Sequence, residues 1–600
     1  MSDSLPHWDM SVVFPGLDST EFNHAFETTC LKINHLTALF NQLGIQKCAP
    51  QPLSQDQVKA FEQVVRELNE VVDYATTLRA YIYSFVSTES TNDLAQARLS
   101  EFYQAGVELS KLTTRFTAWI GSLDVDQLLA TSAEAREYTF AIRQAKIAAS
   151  HQMSPVEEEL AADMNLSGAI AWSRMYNNLT SQIMVPVRDT SGKIIEMPMS
   201  VVRNLAYDSD ANLRRWAYEA EIDAWKKHAL PLAASLNSIK GEVITLVHHR
   251  GWESPLEQAL FDNAIDRQTL DALMQAMRES FPDFRRYLKA KAHLLGKETL
   301  PWCDLFAPVS SSQRKWDYEN AKALIVEEFG KYSEKMGKFA ARAFEENWID
   351  AEPRSGKQDG AFCMYLRKDE SRVLTNFRPN YKSVSTLAHE LGHAYHNLCL
   401  STQEPLNRDT PMILAETASI FCETIIRRAI LPRLTAEEQM EVLEAALMNA
   451  CQVVVDISSR FLFEARVFEQ RKKRELSVAE LCSLMEQSQK ETYGDGLDIK
   501  ELHPYMWAAK PHYYSGERSF YNFPYAFGLL FGLGLYAVYL QSPDTFKQGY
   551  DELLSSTGKA NAAELAAKMG IDIHKVEFWR GSLDTVRQDV ERFEQLIAGK

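Results

Sequence analysis

Apolar residues recur three and four positions apart along most of the chain, with polar residues between them. The pattern is clear over residues 58–71 and again over residues 434–455, and this spacing places apolar side chains on one face of an α-helix. We therefore predict a mainly α-helical fold. The most apolar stretch, residues 527–540, is shorter than the roughly 20 residues that span a bilayer, so we predict a buried helix there.

Two segments break the helical pattern and predict β-hairpins. Residues 189–192 read Asp-Thr-Ser-Gly and lie between the apolar runs IMVPV and KIIEM, as in a hairpin turn. The runs AFCMYL (residues 361–366) and RVLTNF (residues 372–377) flank the polar residues 368–371. We predict a second hairpin there, and an edge strand of it could pair with an extended peptide.

The second hairpin precedes the run SVSTLAHELGHAYHNLC, which reads as a helix that begins at its serines and carries His389, Glu390 and His393. Two histidines four positions apart lie on one helical face with Cβ atoms about 5 to 6 Å apart, a span that one tetrahedral zinc ion can bridge. Glu390 then lies beside the metal as a general base for the attacking water. His396 shares this face, and we expect a packed or hydrogen-bonded neighbour rather than a ligand.

A second helix can supply the third ligand. After residues 409–411 (Asp-Thr-Pro) the run MILAETASIFCETII predicts a helix on which Glu416 and Glu423 share one face. Two carboxylates on an apolar helix are costly to bury unless a metal, a histidine or an arginine meets them. Glu416 is our candidate for the third metal ligand, and the alternative is that Glu416 is an exposed residue on the surface of its helix. We expect Glu423 to accept a hydrogen bond from a ligand histidine, against a simple salt bridge.

Composition and charge narrow the classes of protein. The 600 residues carry a net charge of -17, which disfavours a nucleic-acid partner because phosphate binding needs clustered cations. The first ten residues, MSDSLPHWDM, lack the pattern of a secretory signal. Eight scattered cysteines without a CxxC pair suit free thiols in a reducing compartment. We expect a cytoplasmic protein without a membrane partner, and the sequence carries no signal for an oligomeric state.

The motifs HELGHAYH and LAETASIFCE resemble those of the oligoendopeptidase F and thimet oligopeptidase family of zinc peptidases. Residues 360–363 (GAFC) and the segment PHYYSGERSFYNFPYAFG are also similar to the family pattern, so the resemblance covers roughly residues 200–580. It implies one zinc ion per chain, held by His389, His393 and Glu416, and cleavage of internal bonds in short peptides. It also implies two helical lobes around a deep channel, with a small β-sheet beside the motif helix. We expect an N-terminal lobe over residues 1–195 and a catalytic region over residues 196–600.

The resemblance further implies that a histidine and tyrosines of the C-terminal segment stabilise the oxyanion formed during hydrolysis. His512, Tyr521 and Tyr525 are the matching residues, and Tyr525 is the best single candidate. The segment departs from the family's Tyr-x-Tyr-x-Tyr pattern because residues 521–525 read Tyr-Asn-Phe-Pro-Tyr. Core packing is the alternative role for each of these aromatic residues.

Two other functions remain open from the sequence. A dipeptide-releasing carboxypeptidase on the same scaffold needs a cation for the terminal carboxylate, and Arg518 or Lys510 could serve. A catalytically silent helical scaffold that retains a metal is the second alternative, although the intact Glu390 counts against it. Ligand type narrows the metal without fixing it, so cobalt and manganese also stay open.

Overall fold

The computed structural model describes residues 5–49, 52–309 and 314–599, and the described residues are mainly α-helical, as predicted. The helices are α1 Thr20–Leu43, α2 Gln55–Thr88, α3 Asp93–Ser122, α4 Val125–Thr131, α5 Ala133–Glu137, α6 Thr139–Ser150, α7 Pro155–Asn165, α8 Ala169–Ser181, α9 Met199–Asn204, α10 Ala211–His249, α11 Pro255–Asp262, α12 Arg267–Leu294, α13 Tyr318–Tyr332, α14 Glu334–Glu345, α15 Tyr381–Leu400, α16 Met412–Ala415, α17 Thr417–Ile430, α18 Ala436–Cys451, α19 Ile457–Arg471, α20 Val478–Tyr493, α21 Met506–Ala509, α22 Phe523–Gln541, α23 Pro543–Ser555, α24 Ala562–Lys568 and α25 Val576–Ala598. The strands are β1 Met184–Arg188, β2 Ile194–Pro198, β3 Ile349–Asp350, β4 Phe362–Arg367 and β5 Glu370–Leu374.

The chain forms two compact units, and each is discontinuous in sequence. Unit 1 comprises Met1–Gln152, Arg314–Ile430 and Val538–Ile571, and unit 2 comprises Met153–Gln313, Leu431–Ala537 and Asp572–Lys600. The expected boundary between residues 195 and 196 lies within the first stretch of unit 2. The division into an N-terminal lobe and a catalytic region, and the deep channel, stay predictions.

Unit 1 is built on amphipathic helices whose apolar faces meet in a shared core. In α2, Ser54 and Gln57 form a reciprocal N-terminal capping box, which satisfies backbone N–H groups that the first turn leaves unpaired. The apolar face of α2 then packs with α1 and α3 around Phe40, Phe61 and Phe116, all of which are buried. Burial of these large rings supplies much of the free energy that holds the helices together.

Both predicted hairpins are present. Strands β1 and β2 pair in antiparallel fashion in unit 2, and strands β4 and β5 do so in unit 1. The second turn is shorter than the sequence indicated, because β4 extends to Arg367 and β5 begins at Glu370. Lys368 reaches this tight turn with a φ of 48°, in the left-handed region. The sheet order is β3-β5-β4, so β4 lies at an edge.

Helix α15 carries the HELGH motif and lies next to β4 and β5. Its N-cap is Asn380, whose side chain accepts a hydrogen bond from the backbone N–H of Ser383. The prediction that serines begin this helix was wrong, because Asn380 takes the cap position one turn earlier. The apolar face of α15, with Leu387 and Leu391 fully buried, packs against α17.

The segment after Pro411 is two helices instead of the single helix that its sequence indicated. Helix α16 ends at Ala415, and α17 begins at Thr417. Glu416 lies at the break with φ near -85° and ψ near 1°, in the sparsely occupied bridge region where many functional residues are found. Glu423 lies within α17, so the two carboxylates do not belong to one continuous helix.

Helix α22 is apolar on nearly all sides. Among the described residues it is the one helix long and apolar enough to cross a membrane, but 72% of its most apolar 18-residue window is buried. A core helix of a folded protein shows this combination, which agrees with the prediction of a buried helix.

Unit 2 contains buried ion pairs between its long helices. Lys240 on α10 contacts Glu464 on α19 at 2.7 Å, and both side chains are almost inaccessible to solvent. The second carboxylate oxygen of Glu464 accepts a hydrogen bond from Asn522 at 3.1 Å. Since an unpaired buried charge is costly, this network fixes the backbone between the predicted functional residues Tyr521 and Tyr525.

The backbones of helices α15 and α17 lie close together at Gly392. A Cβ atom on Gly392 would lie 2.6 Å from the Cα atom of Ser419 and 2.7 Å from the carbonyl oxygen of Ala418. These are backbone atoms of α17, so an added methyl group must move one helix away from the other.

We expect Gly392→Ala to destabilise unit 1 by about 1 to 3 kcal/mol, the usual cost of overpacking. The control is Gly106→Ala on α3, where an added Cβ meets nothing within 4 Å. That change should stabilise the protein slightly, because alanine favours helix more than glycine does. Denaturant unfolding of both variants measures the difference, and equal stability of the two would contradict the close packing.

Candidate active site

Three side chains from α15 and the α16–α17 break converge on one point. His389 Nε2 lies 3.2 Å from Glu416 Oε2, and His393 Nε2 lies 3.6 Å from the same oxygen. The ligand atoms of all three residues lie within 4.8 Å of one another, and the three side chains are partly exposed. The structure thus brings together the three residues that the sequence predicted as metal ligands.

This arrangement fits a zinc ion. Zinc binds imidazole nitrogen and carboxylate oxygen at about 2.0 to 2.2 Å in tetrahedral geometry, so two of its ligand atoms lie about 3.3 to 3.6 Å apart. The separations of 3.2 and 3.6 Å to Glu416 Oε2 match that spacing. Two neutral imidazoles and one carboxylate also leave a fourth position open, which is typical of catalytic rather than structural zinc sites.

His389 is oriented by a carboxylate behind it. Its Nδ1 lies 3.3 Å from Glu423 Oε2, and Ser385 Oγ donates a hydrogen bond of 3.0 Å to Glu423 Oε1. A proton on Nδ1, shared with Glu423, leaves Nε2 as the atom that faces Glu416. Glu423 therefore lies where the sequence analysis expected an acceptor for a ligand histidine.

His393 and Glu416 have supporting contacts that the sequence analysis missed. The ring of His393 hydrogen-bonds the carbonyl of Ala415. Ser419 Oγ donates to Glu416 Oε2 at 2.7 Å and to the backbone carbonyl of Glu416 at 3.1 Å. Ser385 and Ser419 lie one helical turn from His389 and Glu416, so helical spacing was the available signal for them.

The environment of the cluster shifts the pKa values of its titratable groups in different directions. Burial disfavours the charged form of His389, but hydrogen bonds and charges from Glu416 and Glu423 raise its pKa to about 10. Burial lowers the pKa of His393 to about 4, against the pull of Glu416. Burial opposes the charged form of Glu416 as well, yet the two histidines and Ser419 lower its pKa to about 2. A bound cation would replace the proton between His389 and Glu416, because a metal ligand must be deprotonated.

Glu390 lies on α15 beside these groups and is only 6% exposed. Its Oε2 atom has no hydrogen-bond partner among the described residues. Burial and the charge of Glu416 raise the pKa of Glu390 to about 7, although the charge of His389 acts in the opposite direction. A buried carboxylate oxygen without a partner is costly, and such atoms concentrate where a substrate or a water molecule completes the site.

A cavity of about 430 Å³ in unit 1 opens over these residues. Its lining includes the metal candidates, Glu390, and four residues at the start of the edge strand and within it, which are Ala361, Phe362, Cys363 and Tyr365. A cavity of this size is within the range of small-molecule and peptide sites. The edge strand β4 and the metal candidates therefore share one binding space.

His396 lines the same cavity but is not one of the converging ligand atoms. Its Nε2 lies 2.9 Å from Thr557 Oγ1 and 3.2 Å from the carbonyl oxygen of Leu554. The residue is buried and hydrogen-bonded, as a packed neighbour of the ligands would be.

The predicted oxyanion residues His512, Tyr521 and Tyr525 lie in unit 2. Burial, Arg460 and Lys510 lower the pKa of His512 to about 2, and its Nε2 has no partner among the described residues. The rings of Tyr521 and Tyr525 meet edge-on with centroids 5.6 Å apart, and Tyr525 is 40% exposed. Their part in the chemistry stays a prediction.

Comparison with known proteins identifies the relatives of this chain. It is 25% identical over 550 residues to the oligoendopeptidase F homolog of Lactococcus lactis subsp. lactis, covering 86% of this chain and 87% of the relative. It is 22% identical over 600 residues to the oligopeptidase PepF of Bacillus subtilis, covering 98% and 87%. Both alignments run over most of each protein, so the likeness extends well beyond the metal motif.

Solved structures show the same fold. A putative peptidase from Chlamydophila abortus matches with a TM-score of 0.84 at 20% identity, over 98% of both chains. The oligoendopeptidase-F from Enterococcus faecium matches with a TM-score of 0.69 at 18% identity, over 97% of this chain and 99% of the other.

Two family profiles match the sequence. The Oligopeptidase F profile matches residues 120–184, and the Peptidase family M3 profile matches residues 204–585. The second match agrees with the resemblance that the sequence motifs indicated over roughly residues 200–580. Because it covers well over half of the chain, the chain belongs to peptidase family M3.

Proposed function

We propose that this metallopeptidase is a zinc-dependent endopeptidase that hydrolyses internal bonds of short peptides in the cytoplasm. The observation that carries the proposal is the convergence of His389, His393 and Glu416 at 3.2 to 3.6 Å beside the unpartnered Oε2 of Glu390. The names of its relatives, oligoendopeptidase F and oligopeptidase PepF, support short peptides as substrates. The free cysteines suit a reducing compartment.

In this proposal one zinc ion is held by His389 Nε2, His393 Nε2 and a carboxylate oxygen of Glu416. Zinc in such a site polarises the scissile carbonyl and lowers the pKa of water to about 7. Glu423 and Ser385 keep the imidazole of His389 in the tautomer that leaves Nε2 available. Ser419 holds Glu416 in its ligating orientation.

Glu390 moves the protons of the reaction. Its Oε2 accepts a proton from the attacking water and later donates that proton to the leaving amine, which departs as a neutral group. The burial that raises the pKa of Glu390 keeps its proton affinity close to that of a general base at neutral pH. No other described carboxylate in the cavity lining is available, because Glu416 serves as a ligand.

Strand β4 is proposed to bind the substrate backbone. Among the described strands it pairs with β5 alone, so no strand lies along its other edge. An extended peptide can add to such an edge, and the backbone hydrogen bonds place few demands on side chains. Broad sequence tolerance follows from that mode of binding.

His512, Tyr521 and Tyr525 are proposed to donate hydrogen bonds to the oxyanion that forms as water attacks. A channel between two helical lobes, with residues 1–195 as the N-terminal lobe, is proposed to admit short peptides and exclude folded proteins. The oxyanion role rests on the resemblance of the C-terminal segment to the family pattern, and the two lobes and the channel rest on the resemblance of the chain to the family as a whole.

The direct test is digestion of a set of short synthetic peptides of graded length, with and without a chelator, followed by mass spectrometry of the products. Internal cleavage that stops with chelator and returns with zinc is expected. Removal of a fixed C-terminal unit from every peptide would instead favour a dipeptide-releasing carboxypeptidase. Absence of cleavage by metal-loaded protein would favour a silent scaffold.

Glu390→Gln should abolish turnover and leave zinc bound, because an amide cannot accept the proton and the residue is not a ligand. The loss should reach at least 10²- to 10⁴-fold, the usual contribution of general acid–base catalysis. Peptide turnover and metal content are measured on the same sample. Activity near that of the unchanged protein would rule out Glu390 as the base.

Glu416→Ala should lose both bound metal and activity, since only two imidazoles would remain. Glu423→Gln should retain the site but weaken metal affinity by about 10- to 100-fold, the usual effect of a residue that orients a ligand. Metal-binding titration separates the two outcomes. One tight zinc ion per chain in Glu416→Ala would show that the third ligand lies elsewhere.

Tyr525→Phe should lower kcat by about 10²- to 10³-fold with little change in metal content, as for other oxyanion donors. The control is Tyr207→Phe, an exposed tyrosine of the same unit, which should have no effect on kcat. Equal kcat values for the two variants would assign the oxyanion role to another residue.

A further inference from the structure

Arg408 lines the cavity that contains the metal candidates and Glu390. Among the described lining residues it is the only lysine or arginine, and the other ionisable lining groups are the carboxylates Glu390 and Glu416, the histidines, Cys363 and Tyr365. The chain has a net charge of -17, so a guanidinium among the lining residues makes the part of the cavity around Arg408 more favourable for an anion.

The guanidinium is held in a defined orientation. Its Nε donates to the carbonyl of Gln403 at 2.8 Å, and its Nη1 donates to the hydroxyl of Tyr365 at 2.8 Å and to Asp73 at 3.0 Å. The guanidinium also lies over the ring of Tyr365, 5.3 Å from the centroid. Tyr365 belongs to β4 and lines the cavity as well, so Arg408 lies beside the strand that is proposed to bind substrate.

The backbone that carries Arg408 is fixed by contacts within unit 1. The N–H of Leu406 donates to Asn69 at 2.9 Å, and the side chain of Asn407 donates to the carbonyl of Glu137 at 3.1 Å. A Cβ atom on Gly558 would lie 2.2 Å from the carbonyl oxygen of Asn407, so a second loop packs directly against this one. An arginine fixed in this way loses little side-chain entropy when it binds a ligand.

Part of the guanidinium is left for a ligand. Nη2 makes no hydrogen bond to any described residue, in contrast to Nε and Nη1. The carboxylate that meets Nη1 belongs to Asp73, whose side chain is 51% exposed. Solvent screens such a pair strongly, so Asp73 leaves much of the positive charge of Arg408 uncompensated.

We propose that Arg408 and Tyr365 form a subsite that binds a carboxylate group of the peptide substrate, an inference that rests on the proposed peptidase function. The Nη2 group of Arg408, which the other contacts leave free, can donate a charge-assisted hydrogen bond to a carboxylate, and such bonds are stronger than those between neutral groups. The carboxylate is either that of an acidic side chain near the cleaved bond or that of the substrate C-terminus. Arg408 is a better placed cation for this purpose than Arg518 or Lys510, neither of which lines this cavity.

The test compares matched peptides in two arms. In the first arm, glutamate replaces glutamine at successive positions around the cleaved bond of one peptide. In the second arm, the same peptide carries a free or an amidated C-terminus. The subsite predicts that the unchanged protein prefers the carboxylate form by about tenfold in kcat/KM in one arm, the effect of one charge-assisted hydrogen bond.

Arg408→Met should bring that ratio close to one, and Arg408→Lys should give an intermediate ratio because it keeps the positive charge but lacks the oriented Nη2 donor. Asp73→Asn should raise the ratio, since it removes the competing carboxylate. The control is Arg66→Met, which removes an ion pair with Glu134 on the same unit and should leave the ratio unchanged. A ratio compares two substrates of one variant, so a purely structural role of Arg408 would not alter it.

The arms separate the sources of the carboxylate. A response to glutamate assigns an acidic side chain, whereas a response to amidation, with loss of a fixed C-terminal unit, assigns the substrate terminus. No preference in the unchanged protein, or the same preference in Arg408→Met, would overturn the subsite alone. Failure of the unchanged, metal-loaded protein to cleave any peptide would overturn the proposed function together with the subsite.

Discussion

Helices α15 and α17 meet at Gly392 with their backbones in direct contact, and no side chain fits between them. The two histidines lie on one helix, while Glu416 lies immediately before the other, so the distance between the helices sets the distance between ligands. Separations of 3.2 and 3.6 Å between imidazole nitrogens and Glu416 Oε2 leave little tolerance, because zinc–ligand bonds vary by only about 0.2 Å. The chemistry of the site therefore depends on a packing contact that has no chemical function of its own.

The second constraint is electrostatic. His389, Glu390, Glu416 and Glu423 are ionisable groups with restricted access to solvent, and burial opposes the charged form of every one of them. His389 stabilises the charged forms of Glu416 and Glu423, whereas Glu390 has an oxygen atom without any partner. A divalent cation among these groups would compensate the excess of carboxylates. The arrangement is costly without such a cation, which is the pattern expected of a site selected for function rather than for stability.

Sequence spacing predicted the local features of the site well. The helical period placed His389 and His393 on one face, and the apolar surroundings of Glu423 indicated that its carboxylate must meet a partner. The sequence pattern did not reveal the break at Glu416, because the apolar positions over residues 412–430 follow one continuous helical period. Tertiary packing determines where the helix divides. Ser385 and Ser419 were missed although one helical turn separates them from His389 and Glu416. Serines in helices are common, and only geometry distinguishes those that donate to a carboxylate.

The pattern of apolar and polar residues did not predict contacts between residues that are far apart in the sequence. Each unit is assembled from three separated stretches of chain, and no local signal reports which distant helices pack together. Arg408 was overlooked for the same reason, since its contacts with Asp73 and Tyr365 join positions far apart in sequence. The C-terminal residues His512, Tyr521 and Tyr525 were found only by resemblance to a family pattern, and their chemical role stays a prediction.

X-ray absorption spectroscopy at the zinc edge can show whether His389, His393 and Glu416 hold one catalytic zinc ion. We expect one zinc ion per chain with only nitrogen and oxygen neighbours at about 2.0 to 2.2 Å and the multiple-scattering signature of two imidazoles. Sulfur neighbours at about 2.3 Å, a single imidazole, or zinc-supplemented protein that retains no metal would contradict it.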